Sequence, residues 1–283
     1  MRVLLIGANG QLASDILRLW KDPTVNVVPA TRADADVTNA ETVAALMERH
    51  RPDAVINTAA FHNMAACEDD PATAMRENVI GGWNVARASA AVGAAVYQIS
   101  TDYVFKGEAR TPYLEHAARR AVNVYGAAKI ATEDVVRQAN PRAAIVRVSG
   151  LFGLAGSAGK GGNFIETMLR LGSGSGPVRV VNDQITAPTN TADIAEALLP
   201  IVREGAVGTF HLAADGQCSW AEFAATIFER CGLTPDFTPV TTAEFGSPIV
   251  RPMFSVLGTA RGLRLPVWSA GLDRYLAEKG HRA

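Results

Sequence analysis

Cysteine is scarce: the 283-residue chain has three, Cys67, Cys218 and Cys231. An odd number without C-x-x-C spacing supports neither a disulfide framework nor a zinc site, and it fits a reducing compartment. An excess of either charge is also missing, because 27 Lys and Arg face 28 Asp and Glu for a formal net charge of −1. The basic residues form no run, which argues against nucleic acid as a partner. No apolar stretch approaches the roughly 20 residues that a membrane span needs, so no membrane partner is expected. Met1-Arg2 leads straight into Val3-Leu4-Leu5-Ile6 with no room for a charged leader and cleavage site. A cytoplasmic protein is the expectation. No internal repeat recurs at a fixed period.

What is present is core-forming: 48% of residues are hydrophobic and 19% charged, enough for one large α/β domain or a domain plus a smaller lobe. Short Val/Ile/Leu/Ala runs recur at 2–6, 25–29, 53–57, 94–99 and 143–148, with Ala-rich segments of helical spacing between them. Runs apolar on both faces suit a parallel sheet covered by helices on either side. The alternation predicts an α/β fold, a Rossmann-like doubly wound parallel sheet with a smaller C-terminal substrate lobe. Residues 1–149 are read as the dinucleotide-binding domain. Beyond them the texture turns Gly/Ser-rich from Leu151 to Gly162 and again from Gly172 to Gly176, with prolines at 177, 188, 235, 239 and 248. Residues 150–283 are therefore read as mainly a substrate-binding lobe, with some segments returning to the first domain.

The first apolar run ends in Gly7-Ala8-Asn9-Gly10-Gln11-Leu12-Ala13 and a helix opens there. A glycine turn between strand and helix lets the backbone approach a pyrophosphate, and the helix start supplies free N–H groups and a positive dipole end. Gly7, Asn9, Gly10, Gln11 and Leu12 are the candidate cofactor contacts; a purely structural tight turn is the alternative. After the second run stands Arg32, where an NAD-selective site usually carries an acidic residue. Facing a 2′-phosphate it would favour NADPH over NADH; otherwise it is a solvated loop arginine. Asp36 and Val37 are placed beside the adenine. Asn57-Thr58-Ala59-Ala60-Phe61 ends the third run with small residues that let the nicotinamide half lie close, which adds Ala59, Ala60 and Phe61.

Two Tyr/Lys pairs stand four residues apart, Tyr125/Lys129 and Tyr275/Lys279. Five tyrosines and five lysines predict roughly 0.1 such pairs by chance, so the two must be told apart. Tyr275/Lys279 lies in the charged amphipathic segment Leu272–Lys279, where a surface or packing role is expected. Tyr125/Lys129 opens an Ala-rich helix that follows the strand ending in Ser100-Thr101-Asp102. Reducing a carbonyl needs a proton donor at the developing alkoxide, and a tyrosine beside an ammonium can serve. A hydroxyl at the strand's carboxyl end can bond the same oxygen, which Thr101 offers. Tyr125 and Lys129 also count as cofactor contacts, Lys129 through the nicotinamide ribose. The bland reading of Ser100-Thr101 is a strand end whose hydroxyls satisfy loose backbone groups.

Taken together, Gly7-x-x-Gly10-Gln11-Leu12, Asn57-x-Ala59-Ala60, Ser100-Thr101-Asp102-Tyr103-Val104-Phe105, Asn123-Val124-Tyr125-Gly126-x-x-Lys129 and Asn182-Asp183-Gln184-x-x-Ala187-Pro188-Thr189 resemble the extended short-chain dehydrogenase/reductases. Within them the chain is most similar to the dTDP-4-dehydrorhamnose reductases, from residue 1 to about 276. The resemblance implies NAD(P)H-dependent reduction of a nucleotide sugar's 4-keto group, with Thr101, Tyr125 and Lys129 catalytic. It also implies substrate contacts at Thr101, Asp102, Gly150, Asn163 and Arg251, and a cofactor contact at His62. A homodimer is implied, and in some members Mg²⁺ at subunit contacts, although no carboxylate cluster here compels a metal. His62 and His211 are read as packing or hydrogen-bonding residues rather than metal ligands. This chain departs from the family at Val148-Ser149-Gly150, where Thr-Ser-Trp is usual, at Met253-Phe254-Ser255, at His62 and at Ala65. An altered pocket leaves open a different nucleotide sugar, by an epimerase or another reductase, and also a regulatory subunit that binds cofactor without turnover.

Overall fold

The computed structural model describes residues 1–156 and 162–281, so the middle of the Gly/Ser-rich stretch, 157–161, lies outside the described residues. Among the described residues, five strands of the first half, β1 (Arg2–Ile6), β2 (Asn26–Ala30), β3 (Ala54–Asn57), β4 (Ala95–Thr101) and β5 (Ala143–Val148), join Gly208–His211 in one sheet. Its order is β2-β1-β3-β4-β5 followed by Gly208–His211, and every pairing is parallel. The order reverses between β1 and β3. In an open α/β sheet, that switch point opens a crevice at the carboxyl ends of the strands.

Side-chain alternation along the strands explains the two-sided covering. Val3 and Leu5 of β1, Ile56 of β3 and Tyr97 of β4 pack with Ile16, Ile194 and Leu198 on one face. Leu4, Ile6, Val55 and Val96 point the other way, onto Val43, Leu46, Val85 and Val136. A period of two with both sets buried is what a strand between two helical layers requires. β4 runs two residues further than its apolar run, through Ser100 and Thr101, because both pair in register with β5 at Arg147 and Val148. The chain then turns through one 3-10 turn, Asp102–Val104.

The chain also comes back to this sheet late. The helix Thr191–Arg203 lies against the helix Gln11–Leu19, where Trp20 Nε1 donates to the Ala195 carbonyl at 2.8 Å and Thr191 Oγ1 donates to Asp15 at 2.5 Å. A separate core gathers Phe152, Ile165, Met168, Val178, Phe223, Ile227 and Tyr275 above the carboxyl edge. Short strand pairs brace it, among them Val178–Val181 with Phe237–Val240 and Ile185–Thr186 with Cys218–Ser219. None of the described helices is long and apolar enough to cross a membrane.

Candidate active site

A cleft of about 700 Å³ runs along the carboxyl edge between the sheet and the upper lobe. At one end stands the turn after β1. Gly7 has φ +80°, and a Cβ there would lie 2.6 Å from Thr58 Oγ1 and 2.9 Å from the Ala59 nitrogen, so no other residue fits. Thr58 Oγ1 in turn donates to the Ile6 carbonyl at 2.8 Å, fastening the ends of β1 and β3 together. The helix Gln11–Leu19 starts at Gly10 with no side-chain cap, which leaves its first N–H groups facing the cleft. Gln11 Oε1 is buried without a hydrogen-bond partner among the described residues. A glycine cradle, an uncapped helix start and an orphaned acceptor fit the phosphates and ribose of a dinucleotide. Gly7 is the tighter of the two glycines, since a Cβ on Gly10 would come no nearer than 3.3 Å to the Gly7 carbonyl and 3.9 Å to Thr58 Oγ1.

At the other end three chain segments meet. Asn123 caps the helix Val124–Ala139 by accepting from the Gly126 nitrogen at 2.8 Å, and this sets Tyr125 on the first turn toward Thr101. Tyr125 is half-buried overall while its hydroxyl is enclosed. Burial and then the Asp102 charge push that hydroxyl up from its ordinary range, with a hydrogen bond to Thr101 opposing. Thr101 Oγ1 donates to Asp102 Oδ1 at 3.0 Å, and Ser149 Oγ donates to Asp102 Oδ2 at 3.0 Å. Burial raises the Asp102 carboxyl against the hydrogen bonds of Ser255, Ser149 and Thr101. A hydroxyl and carboxyl chain thus runs along the wall from Tyr125 through Thr101 and Asp102, then behind it through buried Ser149 to Thr186, 2.9 Å away.

One turn along, Lys129 is 2% exposed, and its Nζ donates to the Ile99 carbonyl at 2.7 Å. Burial pulls its ammonium down to about 8, with the Glu133 charge opposing. In this arrangement the ammonium is spent on the strand rather than on the Tyr125 hydroxyl, which stays protonated. Beneath lies an ion cluster that sequence reading missed. Arg147 donates from Nε and Nη2 to the two Glu133 oxygens at 2.8 and 2.7 Å, and Ser100 Oγ donates to Glu133 Oε1 at 2.7 Å. Burial alone would raise the Glu133 carboxyl, but Arg147 and Ser100 hold it low. The signal was there in part, since Glu133 follows Lys129 by four. His211 closes the cluster, donating from Nδ1 to the Gly258 carbonyl at 2.7 Å with Nε2 facing Arg147.

The cleft brings together Gly7, Asn9, Gly10, Gln11, Leu12, Arg32, Asp36, Val37, Ala59, Ala60, Phe61, His62, Thr101, Asp102, Tyr125, Lys129, Gly150 and Asn163. Arg251 does not line it; its guanidinium donates to Ser247 Oγ at 2.8 Å and sits behind the Tyr103 hydroxyl, while the adjoining Pro252 reaches the wall. Glu77, which no motif pointed to, also lines the cleft, as do Thr58, Phe164 and Trp220, none of which was assigned a site role from the sequence. Tyr275 is packed rather than exposed: it is 1% exposed, donates to Glu166 Oε1 at 2.5 Å and accepts from Asn163 Nδ2 at 2.9 Å.

The RmlD substrate binding domain family matches residues 1–280. A spore coat polysaccharide biosynthesis protein of Bacillus subtilis, SpsK, is 36% identical over 98% of both chains. A dTDP-4-dehydrorhamnose reductase of Shigella flexneri is 34% identical, again over 98% of both. The solved structure of a Bacillus anthracis dTDP-4-dehydrorhamnose reductase in complex with NADP superposes with a TM-score of 0.93 at 36% identity, covering 98% of this chain and 99% of that one. The chain belongs to the RmlD substrate binding domain family, the dTDP-4-dehydrorhamnose reductase-like NAD(P)H-dependent oxidoreductases among the extended short-chain dehydrogenase/reductases.

Proposed function

We propose that the protein reduces the 4-keto group of a nucleotide sugar, with dTDP-4-dehydro-L-rhamnose going to dTDP-L-rhamnose as the reaction to test first. The observation that carries the reading is the meeting of Tyr125, Thr101 and Lys129 at the wall of a cleft whose other end is the Gly7 cradle. Residues 1–149, with the late return of 191–211, form the cofactor half; the lobe over the carboxyl edge holds the sugar. Gly7, Asn9, Gly10, Gln11 and Leu12 hold the cofactor's phosphates, Arg32, Asp36 and Val37 its adenosine end, and Ala59, Ala60, Phe61 and His62 its nicotinamide half. A bound nicotinamide dinucleotide supplies the hydride. Arg32 would meet the 2′-phosphate of NADPH, and NADH is the alternative cofactor.

This chain's own groups manage the oxygen. The Tyr125 hydroxyl, kept protonated by burial and Asp102, donates its proton to the carbonyl oxygen as negative charge develops there. Thr101 Oγ1 holds the same oxygen by turning from Asp102, the acceptor it uses in this structure. Lys129 fixes the nicotinamide ribose while remaining tied to β4. Asp102, Asn163 and Gly150 border the sugar, and Arg251 acts from behind Tyr103.

A different nucleotide sugar is the second reading, and Gly150 favours it. Its φ of +54° and a would-be Cβ 3.0 Å from the Pro188 Cα leave that wall without the family's aromatic. Phe254 does not fill the gap: it does not line the cleft, and its ring lies 6.4 Å from that of Tyr113 instead. NAD(P)H oxidation measured with a panel of 4-keto nucleotide sugars tests both readings. Turnover with the dTDP-linked 6-deoxy sugar supports the first, turnover with another member alone supports the second, and no turnover with any removes the reductase reading.

A further inference from the structure

The adenosine end of the cleft carries a charge balance that β2 alone does not reveal. Arg32, just past β2, donates from Nη2 to Asp36 Oδ2 at 2.9 Å and to Glu77 Oε1 at 3.2 Å, and all three residues line the cleft. One guanidinium therefore faces two carboxylates. Asp36 is held independently, its Oδ1 accepting from the Thr38 nitrogen at 2.9 Å and from Thr38 Oγ1 at 2.8 Å. Glu77 arrives from another part of the chain, the single π-helical turn Arg76–Ile80, a helix irregularity that often marks functional positions. The helix that continues this turn, Gly81–Ala91, is pinned beside Asp36 because Asn84 Nδ2 donates to the Val37 carbonyl at 2.9 Å. The Glu77 side chain is 15% exposed against 70% for Arg32, so the carboxylate is the enclosed partner and the guanidinium the solvent-facing one.

We propose that Glu77 is a specificity-determining residue for the cofactor, setting how well a ribose 2′-phosphate competes with a 2′-hydroxyl. The inference rests on the cofactor reading above and deepens it. A 2′-phosphate brings two negative charges to Arg32 where Asp36 and Glu77 already leave a net charge of −1, and it must draw the guanidinium from them. A 2′-hydroxyl meets carboxylate acceptors and displaces nothing. Arg32 admits NADPH, and Glu77 tempers that preference so that NADH also binds.

The test uses the full chain without sugar, titrating NADH and NADPH separately and following nucleotide fluorescence. Glu77→Gln keeps the shape and removes the charge, and the NADPH-over-NADH affinity ratio is expected to rise about tenfold, the order that one unit charge exerts on a nearby dianion. Because the Arg32 guanidinium that the 2′-phosphate must reach is 70% exposed, that gain should shrink as salt is raised from about 0.01 M to about 1 M, which a purely structural role would not produce. Arg32→Ala should lower the ratio, and Glu77→Gln in the Arg32→Ala background should then add little, since the two residues act as one unit. A ratio unchanged within twofold in Glu77→Gln, or equal losses for both nucleotides, would overturn the proposal while leaving the cofactor reading intact. Wild-type protein that binds neither nucleotide would remove both.

Discussion

Tyr125/Lys129 and Tyr275/Lys279 have the same spacing on helices of 16 and 12 residues, yet the structure uses them in opposite ways. In the first pair the lysine is buried and bonded to the Ile99 carbonyl, while the tyrosine hydroxyl faces the cleft. The second pair has a buried tyrosine whose hydroxyl is consumed by Glu166 and Asn163, and its lysine Nζ lies 6.0 Å from the ring centroid. Spacing of four guarantees a shared helix face and nothing more. What that face meets decides its chemistry: the carboxyl edge of the sheet in one case, a packed aromatic core in the other.

The largest expected effect belongs to Tyr125→Phe. It keeps the ring and deletes the proton donor, so turnover in an NAD(P)H-oxidation assay should fall on the order of a thousandfold with cofactor affinity nearly normal. Wild-type turnover in this variant would make the two pairs equivalent and end the distinction.

Lys129→Met breaks the comparison on the stability side as well as on turnover. The buried ammonium has its pKa lowered from 10.5 to about 8. Between those values the unfolded chain binds the proton more readily than the folded one, so the cost of burying the charge is full below pH 8 and fades as pH rises toward 10.5. Urea unfolding across that window should show wild type gaining on Lys129→Met by on the order of 3 kcal/mol. A pH-independent difference would mean that Lys129 is not carried buried and charged at neutral pH. Lys279 is exposed, and Lys279→Met should cost little stability.

Thr101→Val sharpens the comparison from the strand side. Losing one hydrogen bond to a developing charge should lower turnover about a hundredfold. Loss of cofactor affinity with turnover preserved would place Thr101 at the strand end as a structural hydroxyl only.

Much of this was legible before any coordinates. β1 and β5 coincide with their apolar runs, 2–6 and 143–148, because residues buried on both faces leave no ambiguity of period. The turn at Gly7 could be read because strand, glycines and helix are contiguous. What resisted reading is what the fold joins over distance. Glu133 belongs to no motif and Arg147 stands inside the fifth apolar run, yet the fold pairs them, helix to strand, beneath the cleft. Glu77 and Arg32 are 45 residues apart and meet through tertiary packing that includes Asn84 on the Val37 carbonyl. Tyr275 was read for its charged neighbours, and its partners Asn163 and Glu166 lie more than a hundred residues earlier.

Tyr275→Phe should have the smallest effect, and it is the control that gives the others meaning. The hydroxyl's pKa is raised by burial and then by the Glu166 carboxylate, so it remains a protonated donor over the working range. Removing it leaves Glu166 Oε1 facing His281 Nε2 at 3.3 Å, and leaves Asn163 still capping the Glu166 nitrogen through Oδ1 at 3.0 Å and bonding the Gly153 carbonyl at 3.3 Å. Because each former partner keeps another contact, the loss should be about 1–2 kcal/mol of unfolding free energy, read by urea denaturation. Asn163 lines the cleft and retains two of its three anchors, so turnover should stay within about threefold of wild type, with any change falling on the KM for the sugar. A collapse of turnover to the level of Tyr125→Phe in a variant that remains folded would show that the lobe's tyrosine reaches the chemistry after all, and that shared spacing meant more than shared geometry.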